Sequence, residues 1–301
     1  MRASTRFLAV ALVFGSLATA CSSDTKAATT TTSAAPASST AVIVEGGKIG
    51  NCEIKGKKGS SPVTPVKAGQ LTVQTSLPAP GWFNGETPEA IKDGYEFCMA
   101  ANIAWRAGLD KVVLENVDFG ALQSAQTKDF DLALAEISIT DKRKQVVDFS
   151  SPYFGSDIGV LVKSGTKVAD NTALKALKIG IQEATTGGDF VLANVSKGAK
   201  SFPDSATLFS ALEAGTIDVA MTDTAIVLGK AGDSKGALEV VGQYKTGESY
   251  GAIFPKAADN NSKWDAIIKA LIADKTLDGL QTTYLASLWK GDPAKVPYFT
   301  A

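Results

Sequence analysis

The chain contains no histidine, and this absence excludes several classes of function. Catalytic systems that pair serine or cysteine with histidine are ruled out, and so are metal sites with histidine ligands. The three cysteines are too few for an all-cysteine zinc site, and no Cys-x-x-Cys motif occurs. Catalysis is therefore disfavoured, although chemistry based on carboxylates or lysine stays open.

An excess of either charge is also lacking, since 30 Lys and Arg residues stand against 31 Asp and Glu residues. A balanced chain gives no reason to expect nucleic acid or an acidic membrane surface as a partner. Hydrophobic residues make up 45% of the chain and charged residues 20%, which is typical of a soluble globular protein. The length of 301 residues predicts about two domains.

The apolar run over residues 7–20 follows Arg2 and Arg6 and is too short to span a bilayer. This pattern is typical of a signal peptide, which we predict over residues 1–20. Small residues precede Cys21 and resemble a bacterial lipobox, in which the cysteine is lipidated and becomes the new N-terminus. We therefore predict a lipid anchor at Cys21 on the extracytoplasmic side of the cell membrane. The alternative is an ordinary secretory signal with an incidental cysteine.

Residues 22–41 contain no large apolar side chain and cannot bury a core, so we predict a disordered, lipid-anchored tether over 21–43. If Cys21 is lipidated, Cys52 and Cys98 remain. Two cysteines in an exported chain favour a disulfide, which would join residues 44–56 to the first domain. The alternative is a buried free thiol at Cys98 and an exposed one at Cys52.

The remainder of the chain alternates between strand-like and helix-like patterns. In the first half we predict strands over 71–76, 112–117 and 130–137 and helices over 88–107 and 119–127. The rhythm then restarts, with strands over 177–181, 217–222 and 249–254 and helices over 186–195, 208–213 and 261–274, and the segment 276–289 closes the chain. Strands alternating with helices predict an α/β fold with mostly parallel sheets.

Several segments occur in an order typical of one family. They are Gly94-Tyr-Glu-Phe-Cys, Asp129-Phe-Asp-Leu-Ala, Ser138-Ile-Thr-Asp-Lys-Arg, Val147-Asp-Phe-Ser-Ser-Pro-Tyr and Gly215-Thr-Ile-Asp-Val-Ala-Met-Thr-Asp. Each segment is weak alone, but the ordered set is specific. Over about residues 71–292 the chain resembles the bacterial extracellular solute-binding proteins of family 3, the polar amino-acid-binding components of ABC importers.

The resemblance implies a two-lobe α/β fold of the periplasmic-binding-protein type (type II), with two crossovers between the lobes. It places lobe 1 over residues 44–160 plus 251–301 and lobe 2 over 161–250. It also implies a monomer that needs no cofactor or metal. Such a protein would capture an amino acid, or a small derivative of one, by hinge closure and deliver it to the permease and ATPase subunits of an importer.

The resemblance also implies which residues hold the ligand. Burying both charges of an amino acid is costly unless each charge is paired. Arg143 would bind the carboxylate bidentately, with added bonds from Ser138, and either Ser138 or Thr140 would cap a short helix there. Thr186, at a helix N-terminus in lobe 2, would meet the same carboxylate. Asp223, at the end of a strand, would take the ammonium group, whereas Asp218 would be structural.

Further residues bear on specificity. Phe119 would pack over the ligand side chain, or alternatively would only fill the core. Ser76 occupies the position after the first strand, Trp82 would supply an aromatic wall, and Gln182 would donate to a polar side chain. A carboxylate at Glu136 would favour a cation and disfavour acidic ligands, unless it faces solvent or pairs with a lysine. The preferred ligand is therefore a neutral polar or cationic amino acid.

Two other functions stay open. One is a sensory module that couples ligand binding to a separate signalling partner. The other is an enzyme on the same scaffold, similar to dehydratases that act on cyclohexadienyl acids, with Glu136 and Glu183 as candidate general acids. The lack of histidine and the presence of both Arg143 and Asp223 argue against the enzyme.

Overall fold

The computed structural model describes residues 39–45, 48–289 and 291–300. The predicted signal peptide, Cys21 and most of the predicted tether lie outside these residues. Within the described ranges, none of the helices has the length and apolar character needed to cross a membrane.

Strands and helices alternate along the chain. The strands are β1 (Ser39–Glu45), β2 (Lys48–Ile49), β3 (Cys52–Glu53), β4 (Gln70–Thr75), β5 (Lys111–Asn116), β6 (Leu132–Ala133), β7 (Asp148–Phe149), β8 (Phe154–Lys163), β9 (Ile179–Gln182), β10 (Lys200–Phe202), β11 (Val219–Asp223), β12 (Leu238–Tyr250) and β13 (Ile253–Phe254). The helices are α1 (Tyr95–Ala107), α2 (Phe119–Gln123), α3 (Asp141–Lys144), α4 (Asn171–Lys175), α5 (Thr186–Asn194), α6 (Ser205–Ala214), α7 (Thr224–Asp233), α8 (Asn261–Ala273), α9 (Thr276–Leu280) and α10 (Ser287–Trp289). A π-helical segment, Gln281–Ala286, joins α9 to α10.

Lobe 1 is built on an eight-stranded sheet with the order β3-β2-β1-β5-β4-β6-β13-β7. Strand β4 runs parallel to β5 and β6, as expected for strands connected through helices. The Leu71 and Val73 side chains of β4 are fully buried, and they share one core with α1, α8 and α9. Helix α1 ends at Gly108, which adopts the left-handed conformation that glycine allows at a helix end.

Lobe 2 is built on a five-stranded sheet with the order β10-β9-β11-β8-β12. Strand β9 runs parallel to β10 and β11, whereas β8 runs antiparallel to β11 and β12. The chain enters this sheet at Phe154 and leaves it at Tyr250, which face each other in the register of β8 and β12. The two-lobe α/β architecture with two crossovers is therefore confirmed.

The positions of the crossovers differ from the prediction. The predicted end of the first segment of lobe 1, residue 160, lies inside β8, so the chain passes into the second sheet about six residues earlier. Residues 39–43, predicted as the end of the tether, belong to β1, which pairs antiparallel with β5. Edge pairing accounts for this difference, because β5 offers free backbone groups to any neighbouring extended segment.

The C-terminal segment was predicted as part of lobe 1, but its last residues pair with lobe 2. Gln243 N donates to Pro297 O (2.8 Å), and Phe299 N donates to Gln243 O (2.8 Å). The Phe299 ring packs on the core of lobe 2 over Gly242, whose missing side chain leaves the space for it. The Tyr298 hydroxyl donates to Asp157 Oδ2 (2.7 Å), close to the crossover.

The predicted disulfide between Cys52 and Cys98 is confirmed. The two Cα atoms are 5.3 Å apart, and both side chains are fully buried. The bond joins β3 to α1 across 46 residues of sequence, so the N-terminal hairpin is covalently fixed to lobe 1. Asn102 extends this attachment, because its Oδ1 accepts from Lys55 N (2.8 Å).

Two predicted elements are shorter than expected. The helix over 88–107 is divided into a 3₁₀ turn, Pro88–Ala90, and α1, because the chain bends at Gly94. A Cβ atom on Gly94 would lie 2.3 Å from Trp82 O, so only glycine fits there. The strand over 130–137 is reduced to β6, because Glu136 has a φ of 49° and leaves the extended conformation.

Candidate ligand-binding cleft

A small cavity lies where the carboxyl ends of β4, β9 and β11 meet α3 and α5. Its volume of about 50 Å³ is room for a few water molecules. Both lobes line it, and eight of the nine predicted ligand-binding residues are among its lining residues: Ser76, Phe119, Glu136, Ser138, Arg143, Gln182, Thr186 and Asp223.

Arg143 is held in place by helix α3 and by neutral acceptors. Thr140, not Ser138, caps the helix, because its Oγ1 accepts from Arg143 N (3.1 Å). The guanidinium donates to Ser138 O (2.8 Å), and its Nε donates to the Gln123 side-chain oxygen (2.5 Å). Since these partners carry no charge, they orient the buried cation without neutralising it. The arrangement leaves Arg143 suited to an anionic ligand group.

Phe119 lies beside Arg143 at the edge of the cavity. Its ring centroid is 5.7 Å from Arg143 Cζ, which is a cation–π distance. The ring also packs on the apolar cluster that contains Leu122 and Phe130. Both predicted roles are therefore compatible with its position, because one face can serve the core while the ring borders the cavity.

Lobe 2 contributes the N-terminus of α5. The Thr185 hydroxyl caps this helix by accepting from Gly188 N (2.9 Å). The Thr186 hydroxyl donates to Glu248 Oε2 (2.6 Å) and also contacts Ser138 Oγ (3.4 Å) across the cleft. A capped helix N-terminus beside Arg143 adds partial positive charge to the same side of the cavity.

Asp223 ends β11 on the lobe 2 side of the cavity and is almost fully buried. Burial raises the pKa of its carboxyl group to about 7, although the Tyr250 hydroxyl donates a hydrogen bond to Oδ2 that acts in the opposite direction. The charge of Glu248 also raises this pKa, whereas Arg143 lowers it. The carboxylate therefore favours an ammonium group as a partner at neutral pH.

Glu136 is half-buried, with its Oε1 shielded from solvent, and among the described residues it forms no ion pair with a lysine, so the predicted lysine pairing is wrong. It lies against Glu96 of α1: Glu136 N donates to Glu96 Oε1 (3.1 Å). The Tyr153 hydroxyl donates to the same Glu96 oxygen. Burial raises the pKa of Glu96 to about 7, and burial together with the charge of Glu96 raises the pKa of Glu136 well above its usual value.

The remaining predicted residues occupy different places. Trp82 packs in the core, with its ring centroid 5.3 Å from that of Tyr95 and 5.0 Å from that of Phe154. It also borders an adjoining cavity, so its role as an aromatic wall stays a prediction. Asp218 is structural as predicted, because its Oδ2 accepts from Lys178 N (2.9 Å). Glu183 is exposed, so burial gives it no character of a general acid.

Glu96, Tyr153, Tyr250 and Gln123 were not predicted as site residues. Each of them contacts a partner far away along the chain, and Glu96 and Tyr153, for example, are 57 residues apart. Two of the quoted family segments contain Glu96 and Tyr153, but the segments alone do not show that these two side chains meet. In the parts of the chain that the structure describes, no group of three or more histidine, cysteine or acidic side chains could hold a metal ion.

Comparisons with known proteins agree with this geometry. The family model for bacterial extracellular solute-binding proteins, family 3, matches residues 80–287. The L-cystine-binding protein TcyJ of Escherichia coli K12 is 27% identical over 201 residues, which are 66% of this chain and 74% of the relative. The octopine-binding periplasmic protein of Rhizobium meliloti is 29% identical over 222 residues, covering 64% of this chain and 72% of the relative.

Solved structures of amino-acid-binding proteins are also similar to this chain. The arginine-, lysine-, histidine-binding protein ArtJ of Geobacillus stearothermophilus superposes with a TM-score of 0.63 at 28% identity, covering 74% of this chain and 100% of that protein. An amino-acid ABC transporter substrate-binding protein of Streptococcus pneumoniae bound to L-arginine gives a TM-score of 0.64 at 29% identity, covering 74% of this chain and 94% of that protein. Because the family model spans about two thirds of the sequence, this chain belongs to the bacterial extracellular solute-binding proteins, family 3, and acts outside the cytoplasm.

Proposed function

We propose that this protein captures an amino acid, or a small amino-acid derivative, outside the cytoplasm and delivers it to an ABC importer. One observation carries the proposal: Arg143 from lobe 1 and Asp223 from lobe 2 line the same small cavity. A guanidinium and a carboxylate on opposite sides of one cavity match the two charges of a zwitterion.

The ligand carboxylate is assigned to Arg143, with Ser138 and Thr186 as further hydrogen-bonding groups. The ligand ammonium is assigned to Asp223. In this arrangement each buried charge of the ligand meets an opposite charge, which offsets the cost of removing both from water. Gln182, Glu136 and Ser76 are left to contact the ligand side chain.

Ligand binding is coupled to closure of the two lobes. Arg143 Nη2 donates to Ala184 O of lobe 2 (3.2 Å), and the Gln123 amide donates to the same oxygen. These bonds join the lobes at one edge of the cavity. Because the ligand contacts both lobes, it stabilises the closed form by its differential affinity for that form.

The ligand is a neutral polar or cationic amino acid. Two buried acidic groups, Glu96 and Asp223, and the half-buried Glu136 lie at or beside the cavity and disfavour a second negative charge on the ligand. Relatives named for binding cystine, glutamine and arginine support a ligand of this class. The permease and ATPase of an importer are the partners that such a protein serves, and the protein acts as a monomer.

The predicted anchor at Cys21 completes the proposal by holding the protein on the outer face of the cell membrane. A Cys21→Ala variant is expected to leave the membrane fraction, and labelling with a radioactive fatty acid is expected to mark the unmodified sequence but not the variant. Equal membrane association of the two proteins would contradict lipid anchoring and leave ligand capture unaffected.

Isothermal titration calorimetry of the soluble part with a panel of the twenty common amino acids, cystine and citrulline tests ligand capture. We expect saturable binding of at least one neutral polar or cationic member by folded protein, and none of glutamate or aspartate. Circular dichroism provides the control for folding. Folded protein that binds no member of the panel would refute the proposal.

A further inference from the structure

Two carboxyl groups meet beside the cavity without a neutralising cation. Glu96 is fully buried on α1, and its Oε1 accepts from Glu136 N and from the Tyr153 hydroxyl. The other oxygen of Glu96 and the Oε1 oxygen of Glu136 are shielded from solvent, and within the described part of the chain no N–H or O–H group donates to either of them. Among the described residues, neither carboxyl group forms an ion pair with a lysine or arginine.

The ionisable groups that interact with the pair are Tyr95 from α1, Tyr153 from the segment before β8, Asp223 from β11 and Tyr250 from β12. Asp223 is the one carboxyl group among these four, and the three tyrosines have raised pKa values, so their hydroxyls are neutral at physiological pH. Arg143 lines the same cavity, but its guanidinium is engaged by Ser138 and Gln123. Two negative charges cannot both be buried at such a place, because each destabilises the other and neither is hydrated.

The position of Glu136 connects this pair to the ligand. Glu136 lines the small cavity between Arg143 and Asp223, and it also lines an adjoining cavity of about 260 Å³. Pro78, Ser205 and Ile226 border both cavities, so the two spaces lie next to each other along this wall. A ligand held at its α-carboxylate and α-ammonium groups therefore extends its side chain past Glu136.

Charge in the adjoining cavity is also negative. Glu86 and Asp233 line it, while the single lysine among its lining residues, Lys230, is paired with Glu213 at 2.6 Å. Two acidic groups without a bound cation, added to the buried pair, make this end of the cleft suited to a positively charged side chain.

We propose that Glu96 and Glu136 share one proton when no ligand is bound, and that a positively charged group on the ligand side chain displaces this proton to solvent. The inference rests on the proposed function and adds the mechanism by which side-chain charge is selected. No covalent bond changes: the ligand cation enters, the pair gains one negative charge, and the proton passes to the buffer. The affinity for ligands with a cationic side chain, relative to ligands with a neutral one, then increases with pH.

Pairs of ligands with equal shape and different charge test the proposal. L-Arginine is compared with L-citrulline, and L-lysine with Nε-acetyl-L-lysine. Calorimetry in phosphate and in Tris, which differ in ionisation enthalpy, gives the number of protons released on binding. We expect the cationic member of a pair to release about one proton more, so that its affinity relative to the neutral member rises by up to about tenfold per pH unit between about pH 6 and 8.

Glutamine variants test whether the released proton comes from Glu96 and Glu136. In Glu136→Gln the affinity ratio is expected to lose its dependence on pH, because the amide cannot exchange a proton. Glu96→Gln provides a second variant with the same expectation. Asp259→Asn, which changes an exposed acid away from both cavities, is the matched control and is expected to keep the wild-type dependence.

The outcomes separate this inference from the function on which it rests. Equal proton release by both members of each pair, binding of neutral amino acids only, or an unchanged dependence in both glutamine variants would overturn the proton displacement and leave amino-acid capture standing. Failure of the wild-type protein to bind any amino acid would refute the proposed function itself.

Discussion

At the scale of single residues, we expect Arg143 to carry a large share of the ligand affinity. Replacement by alanine leaves the ligand carboxylate buried without a partner, which is expected to weaken binding by about 3–5 kcal/mol, or more than about a hundredfold. Calorimetry with the best ligand of the panel measures this loss. Lys142→Ala is the matched control, because Lys142 is the exposed neighbour on the same short helix. Unchanged affinity in Arg143→Ala would mean that the ligand binds elsewhere.

Asp223 makes binding depend on pH. Its pKa is about 7, and only the ionised carboxylate pairs well with an ammonium group, so the affinity for a neutral amino acid is expected to rise with pH and to level off above about pH 7. The Tyr250 hydroxyl stabilises the ionised form. Tyr250→Phe is therefore expected to move the midpoint of this curve to higher pH. A midpoint that stays in place or falls would contradict the assignment of the ammonium group to Asp223.

At the scale of elements, the hydrophobic pattern predicted the helices and strands whose apolar residues recur at regular spacing. Strands β4, β5 and β11 lie close to their predicted positions, and α1 occupies the second part of its predicted range, because apolar residues recur in each at the spacing of its element. Strands β8 and β12 were largely missed, since polar residues and glycine interrupt their sequences. The pairing of β12 with β8 is irregular as well, because its register changes between Tyr244 and Glu248.

The same distinction applies to the cleft. Arg143 and Asp223 were predicted because the chain resembles the solute-binding family in the segments that contain them. Glu96 and Tyr153 were not, because their contact depends on how α1 packs against a segment 57 residues away. The family segments therefore indicate residues that line the cleft, such as Arg143 and Asp223. The contact between Glu96 and Tyr153 follows only from how the elements pack.

Gly242 shows how the C-terminal segment is joined to lobe 2. A Cβ atom at this position would lie 2.5 Å from two atoms of the Phe299 ring. Gly242→Ala is therefore expected to displace the ring and to lower the free energy of unfolding by about 1–3 kcal/mol, measured by chemical denaturation. In a Phe299→Ala background the same substitution is expected to cost much less. Equal costs in both backgrounds would show that Phe299 does not occupy this space in solution.

At the scale of the whole molecule, the acids of the cleft make the ligand-free protein less stable as pH rises. Asp223 and Glu96 have pKa values of about 7 in the folded state, and burial beside Glu96 also raises the pKa of Glu136 well above its usual value. Since these values are near 4 in an unfolded chain, the folded state binds more protons between about pH 4 and pH 7. Stability is therefore present at acidic pH and is lost as pH rises through the folded-state values.

Other acids do not cancel this trend. Asp148, Asp157, Asp265 and Asp274 have lowered pKa values, so their stabilising effect is complete above about pH 5 and lost only in stronger acid. Between about pH 5.5 and 8.5 the cleft acids dominate, and we expect the free energy of unfolding of ligand-free protein to fall by about 2–5 kcal/mol. Thermal denaturation across this range measures the change.

Ligand reverses the trend, because an ammonium group at Asp223 stabilises the ionised carboxylate that the ligand-free protein tolerates poorly. The increase in melting temperature on adding ligand is therefore expected to be larger at pH 8.5 than at pH 5.5. Asp223→Asn is expected to flatten the dependence of the ligand-free protein, since the amide has no charge to bury. Ligand-free protein that becomes more stable from pH 5.5 to 8.5 would show that these carboxyl groups are hydrated rather than buried, and that the cleft is open in solution when no ligand is bound.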